Sequence, residues 1–152
     1  MYNNLDKAIK PWVLNSNLDL DKFLISTSND SDIRENLFIL NGKSMKTWVE
    51  LFNEFSKIMS FPKYFGHNRD AFDECMIDLY EFLDNKIFIL FIEHSEYLLV
   101  NEKDKNSLKE LIEDFNDYAE ELSNNIFDDE NNQNIYPLHV ILSNQNRTKK
   151  SY

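Results

Sequence analysis

The segment KIFILFIEH, residues 86–94, decides the fold class. Its run from residue 87 to 92 is apolar at every position, so a strand built from it is apolar on both faces. Such a strand belongs in the middle of a sheet covered by helices. Downstream, residues 107–124 read as a long helix, with Leu108, Leu111, Ile112, Phe115, Ala119 and Leu122 inward. Its outer face carries Glu110, Glu113, Asp114, Asp117, Glu120 and Glu121. FDDENNQN then reads as a polar loop, LHVILSN as the last strand, and RTKKSY as a loose tail.

Upstream, Asn68 is a plausible N-cap for a helix whose buried side is Phe72, Met76, Leu79 and Leu83. Residues 60–67, with Pro62 and Gly66, form the loop before it. Thr47 and Glu50 have the spacing of a capping box. Met45, Trp48, Phe52, Phe55 and Met59 recur at helical spacing as one apolar stripe, which makes Trp48 a core residue. NLFILNG is a short strand closed by the turn pair Asn41 and Gly42. Strands alternating with helices predict a small α/β domain with a mainly parallel sheet and right-handed crossovers. Residues 1–35 read as an N-terminal extension of the same domain, residues 36–145 as its main body and residues 146–152 as the tail. In the extension, PWVLN could be a strand and LDLDKFLIS a helix of about two turns, followed by SNDSD as a loop.

A chain of 152 residues with 42% apolar and 14% aromatic content suits one folded domain. The net charge of −11 argues against direct nucleic-acid binding, which needs a basic footprint. It favours a basic partner, whose capture long-range attraction accelerates, although a solubility charge is the simpler account. Cys75 is the sole cysteine, which leaves no intrachain disulfide and no cysteine-based zinc site. Its place on the apolar side of a helix makes it a small buried hydrophobe. With no apolar signal core at the N-terminus and no run long enough to cross a membrane, a reducing cytoplasm is the expected compartment.

The chemistry concentrates in YFGHNRDAFDECM, residues 64–76. On a helix starting near Arg69, Asp70 and Glu74 share a face with Asp73 beside them, and these acids are expected to point to solvent or to a partner. Helix-dipole stabilisation accounts for Asp70 and Asp73 in part, and for Glu74 much less. Tyr64 and Phe65 are aromatic where an exposed loop is usually polar, and Gly66 implies a backbone conformation or close approach that a side chain would hinder. Aromatic anchors around a charged centre resemble an interface. A metal or acid–base site built from His67, Asp70 and Glu74 is the enzymatic alternative, but an exposed helix face with no second ligand cluster disfavours it. His94 and His139, at or in predicted strands, read as structural histidines.

Pro62, Tyr64, Phe65, Gly66, Asn68, Asp70, Ala71, Glu74, Cys75 and Met76 stand at the positions of a motif that resembles the barstar family of ribonuclease inhibitors. The resemblance covers about residues 36–145, more weakly after residue 95, and not the first 35. It implies a small three-layer α/β fold, a mainly parallel three-stranded sheet packed with helices, to which the extension could add a strand and a helix. It also implies a stoichiometric inhibitor, not an enzyme, that needs no cofactor or metal. Such a protein blocks a small basic ribonuclease or ribonuclease toxin as its immunity protein, with carboxylates in place of RNA phosphates.

By the same resemblance Glu74 is the most deeply inserted acid, Asp70 a second acid of that helix, and Tyr64 an aromatic packing on the nuclease. Gly66 and Asn68 fall in the docking loop, and Asp117 matches a further contacting acid. Asp73 stands where a tryptophan occurs in the family, exchanging apolar contact for charge. Arg69 is a cation on an acidic face and is expected to pair with Asp73 or Glu74. A barstar-like adaptor binding a non-nuclease protein is the alternative, because a shared fold does not fix function.

Overall fold

The structure, a computed structural model, describes residues 4–124, 126–127 and 133–145. Its centre is a four-stranded, all-parallel sheet in the order β1 (Val13–Ser16), β6 (Leu138–Ser143), β3 (Phe88–Glu93) and β2 (Leu37–Asn41). Helices α1 (Leu20–Ser26) and α2 (Ser31–Glu35) come between β1 and β2. Helices α3 (Trp48–Ile58), α4 (Arg69–Ile77) and α5 (Leu79–Phe82) come between β2 and β3. Helix α6 (Ser107–Leu122) and the two-residue strands β4 (Ile126–Phe127) and β5 (Gln133–Asn134), paired antiparallel, complete the set. The tail, and the middle of the segment expected as a polar loop, lie outside the described residues.

The alternation of side chains along β3 divides the interior in two. Phe88, Leu90 and Ile92 join Leu40, Phe55, Phe72, Leu111, Phe115 and Val140 in the larger core beneath α3, α4 and α6. Ile89 and Phe91 face the other way, onto Leu5, Phe23, Ile33 and Ile141. Phe23 belongs to α1 and Ile33 to α2, so the N-terminal segment supplies the second covering layer. A strand apolar on both faces needs both layers. β1 also extends the sheet expected from the family resemblance by pairing with β6, Val13 opposite Val140.

Side-chain caps start the helices. Thr47 accepts from the Glu50 amide at 3.2 Å, while the Glu50 carboxylate reaches one residue further back, to the amide of Lys46 at 3.0 Å. Asp19 and Asp30 cap α1 and α2 in the same manner. SNDSD, read as a loop, therefore contains a helix start: Asp30 caps α2 and Ser31 opens it, a helix too short for periodicity to reveal. The helix expected to run through Leu83 is interrupted at Asp78, which divides α4 from α5. Leu108, expected inward, is 38% exposed on the first turn of α6, and Tyr118 takes a buried place on that helix.

Candidate functional site: the loop and helix at residues 62–77, with the facing side of α6

The loop is tied at its base and open at its tip. The Phe65 amide donates to the Pro62 carbonyl at 3.0 Å, and the Phe65 ring packs edge-on against Phe61 and Phe52. Tyr64, held between these anchored neighbours, is 82% exposed. The expectation that Gly66 adopts a conformation closed to side chains is corrected: the left-handed residue is His67, at φ 51°. A Cβ on Gly66 would meet only the Asn68 Nδ2 at 3.1 Å and the Ala71 Cβ at 3.8 Å. Asn68 caps α4, its Oδ1 accepting from the Ala71 amide at 2.9 Å.

Phe72, Cys75 and Met76 fix the rotation of α4 by entering the core. Asp70 and Glu74 are thereby left exposed on the opposite side. Tyr64 and Glu74 line the same small cleft, about 70 Å³, together with Phe65, Ala71, Cys75, Asp78 and Phe82. Loop and helix thus converge on one spot. Cys75 is buried, and that burial, with Asp78 and Glu74 nearby, pushes its thiol pKa up, which keeps it protonated and unreactive.

Asp73 is not a free surface carboxylate. It is half-buried and accepts a short hydrogen bond from the hydroxyl of Tyr118 on α6. Burial and that bond push the Tyr118 hydroxyl pKa far up, so it stays a donor.

Arg69 pairs neither with Asp73 nor with Glu74. Its guanidinium reaches across to α6, to Glu110 at 3.0 Å and Asp114 at 2.8 Å, and lies 4.5 Å from the centre of the Trp48 ring. Trp48, expected in the core, is half-buried and forms the platform for this cation. Burial alone would lower the Arg69 pKa, but the two carboxylates raise it. Burial raises the Asp114 pKa against the pull of Arg69, with Asp73 and Asp117 adding to the rise. Asp117 is exposed one turn on from Asp114. Of the seven residues expected at an interface, Tyr64 and Glu74 share a cleft, and Asp73 and Asp117 flank Asp114. Asp70 stands apart at the first turn of α4, and Asn68 is committed to its cap.

Sequence periodicity alone does not reveal Tyr118 or the Arg69 clamp, because both are contacts between helices more than 40 positions apart. The signal present was an unexplained arginine on an acidic face. Among the described residues no group of three or more His, Cys, Asp or Glu side chains is placed to hold a metal ion, and no helix is long and apolar enough to cross a membrane.

None of the curated proteins compared matches the chain. A family model described as "Barstar (barnase inhibitor)" matches residues 35–136, which takes in β2, the loop, α4 and α6 and leaves out β1, α1, nearly all of α2 and β6. With two thirds of its length matched, and a parallel sheet packed with helices behind the match, this chain belongs to the barstar family.

Proposed function

We propose that this protein is a stoichiometric inhibitor of a small basic ribonuclease, the immunity protein for a secreted enzyme or toxin, acting in the cytoplasm without cofactor. The docking surface is the loop 62–68 with the exposed face of α4 and the neighbouring face of α6. Tyr64 anchors it, Gly66 lets the partner approach the backbone, and Asn68 holds the loop to the helix. Asp70 and Glu74 stand in for RNA phosphates, Asp117 extends the negative surface, and Asp73 adds its charge from a half-buried place against the Tyr118 hydroxyl.

The observation that carries this reading is the cleft shared by Tyr64 and Glu74. Tyr64 is 82% exposed and shares its cleft with the Glu74 carboxylate, the pairing of aromatic anchor and charged centre that a contact surface uses. A carboxylate desolvated by cationic partners contributes strongly to binding, whereas one at a rim contributes little. Arg69 spends its charge on Glu110 and Asp114, which leaves Glu74 uncompensated.

The test is capture of a ribonuclease from the producing cells and their medium, followed by an inhibition titration. One-to-one inhibition that weakens with salt is expected. Glu74→Ala should raise the dissociation constant at least ~30-fold, the range of a central contact, while Glu121→Ala should change it less than about threefold. Equal losses would remove the assigned centre. A non-nuclease partner released by Glu74→Ala would make the protein an adaptor.

A further inference from the structure

The central sheet ends in β2, which pairs with β3 on one side. The Ile89 amide donates to the Asn36 carbonyl at 3.2 Å, and Leu37 stands opposite Ile89 in the parallel register. Along such a ladder the backbone groups of successive residues point alternately to either side. Phe38 and Leu40 therefore bond to β3, and Leu37, Ile39 and Asn41 turn their N–H and C=O groups to the open edge. Asn41 follows this alternation, its amide donating to the Glu54 carboxylate at 3.1 Å. Among the described residues no side chain caps the Leu37 or Ile39 amide in that way. Exposed edges are usually guarded by a lysine, a proline or a bulge. The run LFILN, residues 37–41, has neither charge nor proline, and Ile39 is 37% exposed. Beside it lies a recess of about 440 Å³ whose lining includes Leu24, Leu37 and Ile39 together with Arg34 and Glu35.

We propose that β2 is the interface of a symmetric dimer, in which the β2 edges of two copies of this chain pair antiparallel about Ile39. A twofold axis at Ile39 makes the contact self-complementary. Each Ile39 donates its N–H to the Ile39 carbonyl of the second copy, and each Leu37 amide reaches an Asn41 carbonyl, while the Asn41 amides stay on Glu54. Directly opposed side chains share a face, so the two Ile39 side chains meet on the side of the recess and leave water together. Charge selects a second copy over an unrelated strand. Glu35 and Lys43 stand four positions to either side of Ile39, so this register brings each Glu35 near the second copy's Lys43. Both residues are exposed, and neither forms an ion pair within the chain among the described residues. No residue lining this recess lines the Tyr64 and Glu74 cleft, so pairing at β2 leaves both docking loops open.

The experiment is sedimentation of the full chain over a concentration series. A reversible monomer–dimer equilibrium is expected, and added salt should strengthen it, because each copy carries a net charge of −11 and salt screens their repulsion. Ile39→Lys should raise the dimer dissociation constant at least ~10-fold, as loss of a central contact does. Glu35→Lys should weaken the dimer too, and adding Lys43→Glu should restore it, a recovery that a folding defect would not give. Ile39→Cys should yield a covalent dimer on oxidation, since the native Cys75 is buried and the new thiols face each other. Leu108→Cys, at a residue equally exposed on α6, should not. A monomer at every concentration, or a dimer indifferent to Ile39→Lys, would overturn the interface. Slow amide exchange at Ile39 in such a monomer would place another segment of the chain on the edge. Ile39→Lys should inhibit the ribonuclease as the parent does, so failure of the dimer and failure of the inhibitor reading are told apart.

Discussion

Gly42 shows what one missing carbon permits. It follows β2 in the turn where the chain passes beneath the end of β3, and a Cβ there would lie 2.1 Å from the His94 carbonyl oxygen and 2.8 Å from its carbon. Backbone atoms cannot move aside as a side-chain tip can. Gly42→Ala should therefore destabilise the fold by about 1–3 kcal/mol, the usual range for an overpacked interior, read as a lower urea midpoint. Gly66, by contrast, meets the end of the Asn68 side chain at 3.1 Å and the Ala71 Cβ at an ordinary 3.8 Å, so its replacement should cost stability much less. The turn glycine was readable from the pair Asn41 and Gly42; that His67 and His94 take the left-handed conformations was not. Turn chemistry favours glycine there but does not compel it.

At the scale of elements, α4 is a short helix asked to hold an interface. Its Asn68 cap satisfies the Ala71 amide at 2.9 Å, and the core contacts of Phe72, Cys75 and Met76 set its rotation. Asn68→Ala should lower stability by about 1 kcal/mol, as loss of a capping side chain does, measured by urea unfolding. It should also weaken binding without removing any charge, because Gly66 and Tyr64 lose their link to the helix. A variant that is destabilised to that extent but binds as tightly as the parent would limit Asn68 to its cap. The caps of α3 and α4 were legible because an Asn or Thr stands before an apolar stripe. α2 was not, since five residues are too few to show a period.

Across the whole molecule, His139 on β6 fastens the N-terminal segment to the sheet. Its Nδ1 lies 3.2 Å from the Leu5 carbonyl oxygen and its Nε2 2.9 Å from that of Ile9, with the Trp12 ring 5.5 Å away. Burial pushes its pKa below the ordinary 6.5, and outweighs the two carbonyls and Asp6, which push it up. The unfolded chain then binds the proton more readily than the folded one. The resulting stability is present above about pH 6.5 and lost as pH falls through that value. The urea midpoint should drop between about pH 7.5 and about pH 5.5, and His139→Gln should flatten that segment of the profile. A midpoint that rises on acidification would mean that the ring is held as an imidazolium by both carbonyls.

The sequence by itself determined the parallel α/β class, because five consecutive apolar residues in β3, Phe88 to Ile92, leave no face for water, and it determined the loop and helix that carry the family motif. Only the tertiary structure decided that residues 4–35 close the second face of the sheet, through Leu5, Phe23 and Ile33. It alone placed Arg69 on Glu110 and Asp114, Tyr118 on Asp73, and Lys10 and Trp12 on Glu120. Periodicity reports which face of an element is buried, since that depends on neighbours a few residues away. Which charges meet across two elements depends on how those elements pack, and no local pattern records it.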